Sequence, residues 1–369
     1  MADKPRDTVP EGCDGDAEKT KADTTPSTDP PEMADFGSLD VTDAWTPPQS
    51  VAWEESTVRT THQLPELKTI PSEKSAGPVR DTLHVLESTA GSATEALEWS
   101  SVLTADGSDT LPGVDEDESA LGLVSTGAAI THSGLVREGN EDAFLVWPEV
   151  NLAVVADGMG GHQAGEVASA LAVEHIREAL VSTGEVPDTL QAQLVLVQAI
   201  REANDRIGVL SEEDEKLKGM GTTVVALWMI GRKGLAVHVG DSRLYRIRGG
   251  HLEQMTQDHS LLNELQRHGI VNAEQAAKDP RRHVLTRALG GRQELEVEST
   301  VLDLRAGDRY LLCTDGLTDI VDDKVIRAFA GPPRTPVAAA RTLIEAALAN
   351  GGKDNVTVIV IVIEVESTE

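Results

Sequence analysis

The stretch LAVVADGMGG, residues 152–161, decides how this chain folds. Its first five residues are small or branched and apolar, which predicts a strand buried on both faces. The run ends at Asp157, and glycines follow where the chain must turn. A carboxylate therefore stands at the end of a buried strand, at the kind of edge where functional sites are usually built.

Strands and helices are grouped on both sides of this stretch rather than alternating one by one. Apolar residues recur at helical spacing from Val167 to Leu180 and again from Leu190 to Ile207. The polar segment 257–283 is predicted to be a surface excursion that covers a site. Grouped strands with paired helices between them predict an α+β fold. A further helix begins at Thr335-Pro336, and strand patterns occupy residues 124–130, 143–147, 222–230, 235–239, 243–248, 295–302, 309–313 and 356–365.

The first third of the chain differs in composition from the rest. Of the formal net charge of −30, residues 1–120 carry −18, from 26 acidic and 8 basic side chains. A segment with high net charge and few apolar residues cannot offset the entropy lost on ordering. We therefore expect an acidic, Pro-, Thr- and Ser-rich disordered extension over 1–120 and one folded domain over 121–369. The extension contains Trp45, Trp53 and Trp99. These tryptophans either occur there by chance or mark segments that dock on a partner.

Composition also excludes several classes of protein. The sequence pI of about 4.6 argues against a general nucleic-acid binder, which needs clustered Lys and Arg. The sequence has no run of about 18 apolar residues, so no membrane span is expected. The first residues lack the apolar stretch of a secretory signal. The sequence has two cysteines, Cys13 and Cys313, and this low number fits free thiols in a reducing compartment such as the cytoplasm. We also expect the protein to be a monomer.

Acidic residues recur at the ends of the predicted elements, mostly beside glycines. One such acid alone is most often a turn residue or a helix cap. Where several converge, two unit charges about 4 Å apart repel by about 4 kcal/mol at an effective dielectric of about 20. Hard divalent cations such as Mg²⁺ and Mn²⁺ are the usual remedy, and two of them together can activate water for attack on phosphorus. The acids concerned are Asp157, Asp241, Asp315, Asp354 and the pair Glu141-Asp142.

Arg137 lies four residues before Glu141. A guanidinium beside an acidic metal site could hold two oxygens of a phosphate, although an arginine among acids is more often an ordinary ion pair. The sequence contains no P-loop, dinucleotide-binding, nucleophile-elbow or thiol-phosphatase motif. Cys313 lies in a predicted strand and is expected to pack in the core.

Six motifs, in order across residues 122–365, resemble those of the metal-dependent serine/threonine phosphatases (PP2C-like, or PPM), the bacterial branch in particular. The resemblance does not cover the extension. The matching stretches are Arg137-Glu-Gly-Asn-Glu-Asp142, Val155-Ala-Asp-Gly-Met-Gly-Gly-His162 with Ala164-Gly-Glu-Val-Ala-Ser169, Gly221-Thr-Thr223, Val239-Gly-Asp-Ser-Arg243, Cys313-Thr-Asp-Gly-Leu-Thr-Asp319 and Gly352-Lys-Asp-Asn-Val-Thr357.

The resemblance implies a central antiparallel β-sandwich flanked by two pairs of helices. It also implies hydrolysis of phosphoserine and phosphothreonine by water activated between two Mn²⁺ or Mg²⁺ ions. Asp157 would bridge both ions. The resemblance further implies a mobile flap at 257–283. By the same resemblance, Asp142 and the Gly158 carbonyl would bind one ion, and Asp315 and Asp354 would bind the other. Asp241 and Asp315 would bind a third ion. Arg137 would bind the phosphate.

The motifs do not determine which group acts as the general acid. Eukaryotic members carry a histidine directly after the Asp-Gly pair, where this chain has Met159. His162 lies three residues further on and is the candidate acid, while a capping role for it or a metal-bound water as the acid are the alternatives.

Three readings of the function follow from the motifs. The first is a phosphatase that acts on phosphorylated proteins and opposes a Ser/Thr kinase and its substrates. The second is a catalytically weak regulatory or partner-binding module on the same fold, against which the full set of metal acids argues. The third keeps the enzyme but restricts it to one partner protein, such as an anti-sigma antagonist.

Overall fold

The computed structural model describes residues 96–103, 122–161, 163–184, 188–291 and 294–366. Within these residues the chain forms strands and helices that we number separately in chain order. The strands are β1 (Ala96–Leu103), β2 (Leu123–His132), β3 (Asp142–Trp147), β4 (Leu152–Met159), β5 (Gly221–Thr222), β6 (Val224–Ile230), β7 (Lys233–Val239), β8 (Arg243–Arg248), β9 (His251–Gln254), β10 (Glu298–Asp303), β11 (Arg309–Cys313) and β12 (Val356–Val365). The helices are α1 (Gln163–Thr183), α2 (Thr189–Glu213), α3 (Leu261–Arg267), α4 (Ala273–Lys278), α5 (Asp315–Thr318), α6 (Asp323–Ala330) and α7 (Pro336–Ala349).

Two antiparallel sheets stack face to face. One has the order β1-β2-β12-β11-β8-β9 and the other β10-β7-β6-β4-β3, with β5 paired to β4. Apolar residues of both sheets meet in a shared core that includes Phe144, Val155, Leu312 and Ile359. The outer faces of the central strands are buried as well, as in β4 and β6, so these strands are apolar on both sides. The α+β class is confirmed.

Each outer face of the sandwich is covered by a pair of helices. Helices α1 and α2 pack on the second sheet through residues such as Ile176 and Ile200, which are fully buried. Helices α6 and α7 pack on the first sheet through Ile326 and Leu343. None of the helices among the described residues is long and apolar enough to cross a membrane. The predicted sandwich flanked by helix pairs is therefore confirmed.

Local capping signals fix where the helices begin. The Asp188 carboxylate accepts a hydrogen bond of 2.8 Å from the backbone N–H of Gln191 at the start of α2. At α7 the Thr335 hydroxyl accepts from Ala338, and Pro336 occupies the first turn, as the sequence predicted. Cys313 is free and fully buried in β11, which confirms its expected place in the core.

Strand β1 corrects the expected extent of the disordered extension. Residues 96–103 lie inside the segment 1–120, yet they pair with β2 along their whole length, from Ala96 opposite Ile130 to Leu103 opposite Leu123. The Trp99 ring lies on Gly127, where a side chain would have collided with it. Leu97 and Leu103 are buried. Short apolar alternation therefore outweighs the acidic composition around it, and Trp99 packs on this chain's own sheet.

Two truncations test this correction. Removing residues 1–95 retains β1, whereas removing residues 1–118 deletes it. Burying a leucine contributes roughly 1.5–3 kcal/mol, so loss of Leu97 and Leu103 should lower the free energy of unfolding by at least about 2 kcal/mol. We expect the shorter chain to melt several degrees below the longer one in circular dichroism. Equal melting temperatures would show that β1 adds no stability.

Candidate metal centre

The candidate site lies at one end of the sandwich, where β3 begins and β4 ends. Asp142 and Asp157 are direct partners in the antiparallel register of these two strands. The backbone of Asp157 is fixed on both sides, since its N–H donates to the Thr223 hydroxyl at 3.0 Å and its carbonyl accepts from the Thr223 N–H at 2.9 Å. Strand pairing thus places two carboxylates side by side on rigid backbone.

Asp315 brings a third carboxylate from the other sheet. It lies two residues after the end of β11 and begins the short helix α5. Its carboxyl group lies close enough to those of Asp157 and Asp142 for their charges to interact. Burial and the neighbouring acids raise the pKa of Asp157 well above its usual range, and they raise that of Asp315 to about 6. Two strands from different sheets therefore end on the same acidic spot.

Asp142 is held by hydroxyl groups from the strands behind it. Thr357 and Thr314 donate to its Oδ2 at 2.6 and 3.0 Å. Its Oδ1 is buried and has no hydrogen-bond partner. Burial raises the pKa of Asp142 to about 7, against the lowering effect of the two hydroxyl groups. One oxygen of a fixed carboxylate thus lacks a partner, as expected of a ligand waiting for a cation.

Asp354 and Arg137 meet at the solvent side of the site. Arg137 Nη2 lies 2.8 Å from Asp354 Oδ2, and the two side chains are 49% and 40% exposed. The loop that carries Arg137 is tied to the turn before β12, where the Leu135 N–H donates to the Gly352 carbonyl at 2.7 Å. Asp354 in turn raises the pKa of the Arg137 guanidinium. The arginine stays charged and open to solvent at the rim of the acids.

Asp241 shares a cleft with Asp315. It lines a cleft of about 790 Å³ together with Asp315, Asp319 and residues of α3 and α4. Burial, and then the charges of Asp315 and Asp258, raise the pKa of Asp241 to about 8. Helices α3 and α4 lie within the predicted excursion 257–283, which thus borders the cleft.

Gly158 stands where a larger residue cannot. A Cβ there would come within 2.1 Å of the Gly165 carbonyl oxygen and 2.5 Å of that of Glu141. The chain therefore needs glycine for the start of α1 to approach the end of β4. The structure brings the five predicted metal-binding aspartates, Asp142, Asp157, Asp241, Asp315 and Asp354, close enough for their charges to interact, and Gly158 directly follows one of them. The candidate acid His162 lies outside the described residues.

The residues present fit divalent cations. The donors are carboxylates and a backbone carbonyl, which hard cations such as Mg²⁺ and Mn²⁺ prefer. The unpartnered Oδ1 of Asp142 and the mutual repulsion of Asp157 and Asp315 both mark places where a cation would supply the absent partner or charge. A cluster of buried acids without such a charge is strained by mutual repulsion.

The raised pKa values predict how the metal-free protein responds to pH. Acids whose pKa rises on folding bind protons more tightly in the native state, so their contribution is complete below about pH 4 and is lost as pH rises through about 6–8. In EDTA we expect the melting temperature to fall by several degrees between about pH 5.5 and about pH 8. Excess Mn²⁺ should stabilise the protein more at the higher pH. A melting temperature in EDTA that rises with pH would contradict this.

Sequence reasoning missed the supporting groups around the acids. Thr314 and Thr357 are polar residues in otherwise apolar, fully buried strand regions, and that contrast was the available signal. Asn355 also escaped notice, although its amide side chain donates to the carbonyls of Ser133 and Gly139 and accepts from the Glu141 N–H. These contacts join the loop of Arg137 to the turn of Asp354.

A two-sheet sandwich that gathers buried carboxylates from both sheets in an acidic cleft defines a class of proteins built to hold divalent cations. A model of the family described as protein phosphatase 2C matches residues 126–349, more than half of the chain. The chain belongs to the protein phosphatase 2C family, which confirms the resemblance found in the motifs.

Individual relatives agree with this membership. The serine/threonine protein phosphatase PstP of Mycobacterium tuberculosis is 43% identical over 238 residues, which are 64% of this chain and 45% of that protein. This chain thus spans less than half the length of that relative. The serine/threonine phosphatase stp of Listeria monocytogenes is 38% identical over 234 residues, 63% of this chain and 93% of that protein.

Solved structures show the same fold. The crystal structure of M. tuberculosis PstP has a TM-score of 0.59 at 40% identity and covers 65% of this chain and 99% of that one. A structure of the PstP catalytic domain in complex with two manganese ions has a TM-score of 0.59 at 39% identity and covers 66% of this chain and 99% of that one. The described sandwich is therefore the part of the chain that the relatives share.

Proposed function

We propose that this chain hydrolyses phosphoserine and phosphothreonine in proteins, with two Mn²⁺ or Mg²⁺ ions at the acidic site. The observation that carries the proposal is the buried Asp142 Oδ1, which has no hydrogen-bond partner and lies among carboxyl groups whose pKa values are raised by burial and by one another's charge. Family membership and the two manganese ions of the PstP structure support it. Bound divalent cations supply a nucleophilic water at neutral pH and neutralise charge on the phosphoryl group.

The chain's own residues divide the work. Asp157 is central to the acids and would contact both ions, with Asp142 and the Gly158 carbonyl on one side. Asp315 and Asp354 would hold the second ion, and Asp241 with Asp315 a third. Rigid strand ends keep these oxygens in place before substrate arrives, so little reorganisation is needed during the reaction.

Arg137 would bind the substrate phosphate. Its guanidinium lies at the rim, half exposed, and its partner Asp354 is itself a proposed metal ligand. With Asp354 on a cation, the fork of the guanidinium is available for two oxygens of a phosphate. The cleft beside Asp241, of about 790 Å³, would take residues that flank the phosphorylated side chain.

The leaving group also needs a proton. His162 remains the candidate donor from the sequence, and water in the cleft is the alternative. We further propose that the physiological targets are phosphorylated proteins of a Ser/Thr kinase pathway in the cytoplasm and that the chain acts as a monomer.

The test is release of phosphate from a phosphothreonine peptide by the full-length chain. We expect activity with Mn²⁺ or Mg²⁺ and none in excess EDTA, with recovery when the metal is restored. Activity that persists in excess EDTA would refute the metal-dependent mechanism. Tight binding of two ions without measurable turnover would favour the regulatory module over the enzyme.

A further inference from the structure

A buried histidine pair lies directly behind the turn that carries Asp241. The rings of His238 and His259 are stacked, with centroids 4.6 Å apart and an angle of 23° between planes. Both side chains are buried, at 7% and 4% exposure. Glu298 from β10 lies 3.1 Å from His259 Nε2, and Arg287 Nη1 lies 2.8 Å from the same carboxylate. We call His238, His259, Arg287 and Glu298 the histidine cluster.

His259 holds Gly240 by two hydrogen bonds. Its backbone N–H donates to the Gly240 carbonyl at 2.9 Å, and its ring Nδ1 accepts from the Gly240 N–H at 3.1 Å. The N–H and the carbonyl of Gly240 belong to the two peptide planes on either side of this residue. The plane of the carbonyl also contains the N–H of Asp241. A single residue therefore fixes the orientation of the chain as it enters Asp241.

Gly240 has no side chain that would restrict rotation about its backbone bonds. Its φ of +108° is a conformation that glycine adopts readily and other residues rarely adopt, and a Cβ would come within 2.5 Å of the Thr223 side chain. Ser242, the next residue but one, is hydrogen bonded to the Thr223 hydroxyl at 2.7 Å, and that hydroxyl also accepts from the Asp157 N–H. The turn is thus flexible by composition and is held by its neighbours.

The bond from Gly240 determines where the ring proton of His259 lies. Because Nδ1 accepts from Gly240, the neutral ring carries its proton on Nε2. Nε2 lies 3.1 Å from Glu298 Oε1 and 3.3 Å from Arg287 Nη1, and only the carboxylate can accept, so Nε2 donates to Glu298. Burial, together with His238 and Arg287, lowers the pKa of His259 to about 4, in agreement with a neutral ring. The atoms of His238, His259 and Glu298 are close enough to surround a cation. A protonated Nε2 and the adjacent Arg287 guanidinium already fill that space, so the cluster does not fit a metal site.

We propose that His259 is a positioning residue for Asp241 and thereby sets the affinity of the third metal ion of the site. Its Nδ1 fixes Gly240, while His238, Glu298 and Arg287 fix its ring. Without this clamp, the Gly240 peptides rotate and the Asp241 carboxylate leaves its place beside Asp315. The inference rests on the proposed function in so far as the acids bind divalent cations.

The two ring nitrogens can be separated by substitution. In His259→Asn the side-chain oxygen can take the place of Nδ1 and keep the bond from Gly240. In His259→Gln the amide nitrogen takes the place of Nε2, and the acceptor for Gly240 is lost. His268→Gln is the matched control, because His268 is an exposed histidine at the end of α3.

Mn²⁺ titration of the metal-stripped full-length chain, by calorimetry and by electron paramagnetic resonance of free Mn²⁺, gives the readout. We expect two tight ions and one weaker ion in the parent chain. His259→Gln should weaken only the third ion, by about 10-fold or more, as loss of a group that orients a ligand does. His259→Asn should retain most of its affinity, and His268→Gln should equal the parent. His259→Gln should add nothing to Asp241→Ala.

The outcomes separate this inference from the proposed function. Failure of the parent chain to bind any Mn²⁺ tightly would refute the proposed function. Two tight ions with no third, an unchanged third ion in His259→Gln, or equal weakening of all three ions would overturn the positioning role. If His259→Gln does not fold, Glu298→Gln provides the second variant, since it loosens the ring and should weaken the third ion several-fold in the same selective way.

Discussion

Replacing Asp157 by asparagine should reduce turnover of a phosphothreonine peptide by at least about 100-fold in saturating Mn²⁺. Asparagine keeps the size of the side chain, and the backbone bonds to Thr223 do not involve the carboxyl group. The variant therefore changes one charge at the centre of the acids and leaves the strand pairing intact. In the proposed function Asp157 would contact both cations, so its loss should lower both the metal affinity and the supply of activated water.

The same substitution should stabilise the metal-free protein. Asp157 is surrounded by Asp142, Asp315 and Asp241, whose charges raise its pKa together with burial. Asparagine at position 157 is neutral at every pH and has no charge for these neighbours to repel, so in EDTA at about pH 8 the variant should melt above the parent chain. An inactive variant that melts far below the parent in EDTA would point to misfolding instead of ligand loss.

Asp188→Asn is the matched control for this experiment. Asp188 caps α2 on the surface, and asparagine caps a helix about as well as aspartate. Activity, metal affinity and melting temperature should all equal those of the parent chain. Near-normal turnover in Asp157→Asn itself would refute the assigned role of Asp157.

The second large effect is expected at Arg137. Arg137→Ala should lower kcat/KM for phosphopeptides by roughly 10- to 100-fold, the range that corresponds to a charge-assisted hydrogen bond of about 1.5–3 kcal/mol. Because the phosphate is bound both before and during the reaction, most of the change should be a higher KM. The kcat/KM of Arg137→Lys should fall between those of the parent chain and Arg137→Ala, since lysine retains the charge and loses the planar fork.

Two comparisons make the Arg137 result specific. Arg201→Ala removes an exposed arginine from the middle of α2 and should leave KM unchanged. Mn²⁺ affinity of Arg137→Ala should stay within a few-fold of the parent, because the arginine is no metal ligand. A collapse of metal affinity in Arg137→Ala would instead assign the residue to holding Asp354 in place.

The elements and the candidate ligands could be predicted from local patterns in the sequence. A strand is marked by a local apolar run, and its end by an acid beside glycine, so Asp157 and Asp315 could be recognised without any knowledge of the fold. The helix start at Thr335-Pro336 is likewise a local signal and was found. The motif match then supplied the sandwich and the roles, which periodicity alone could not provide.

Which of these groups meet, and which side chains support them, became visible in the folded chain alone. Thr357 donates to Asp142 across 215 residues of chain, and this contact depends on the pairing of distant strands. His259 reaches Gly240 across 19 residues through a loop whose path no periodic pattern specifies. Strand β1 was hidden for the same reason, since Trp99 gains its place only where β2 offers Gly127. Local patterns fix the backbone of each segment, whereas convergence of side chains depends on long-range register and packing, which the chain acquires only when it folds.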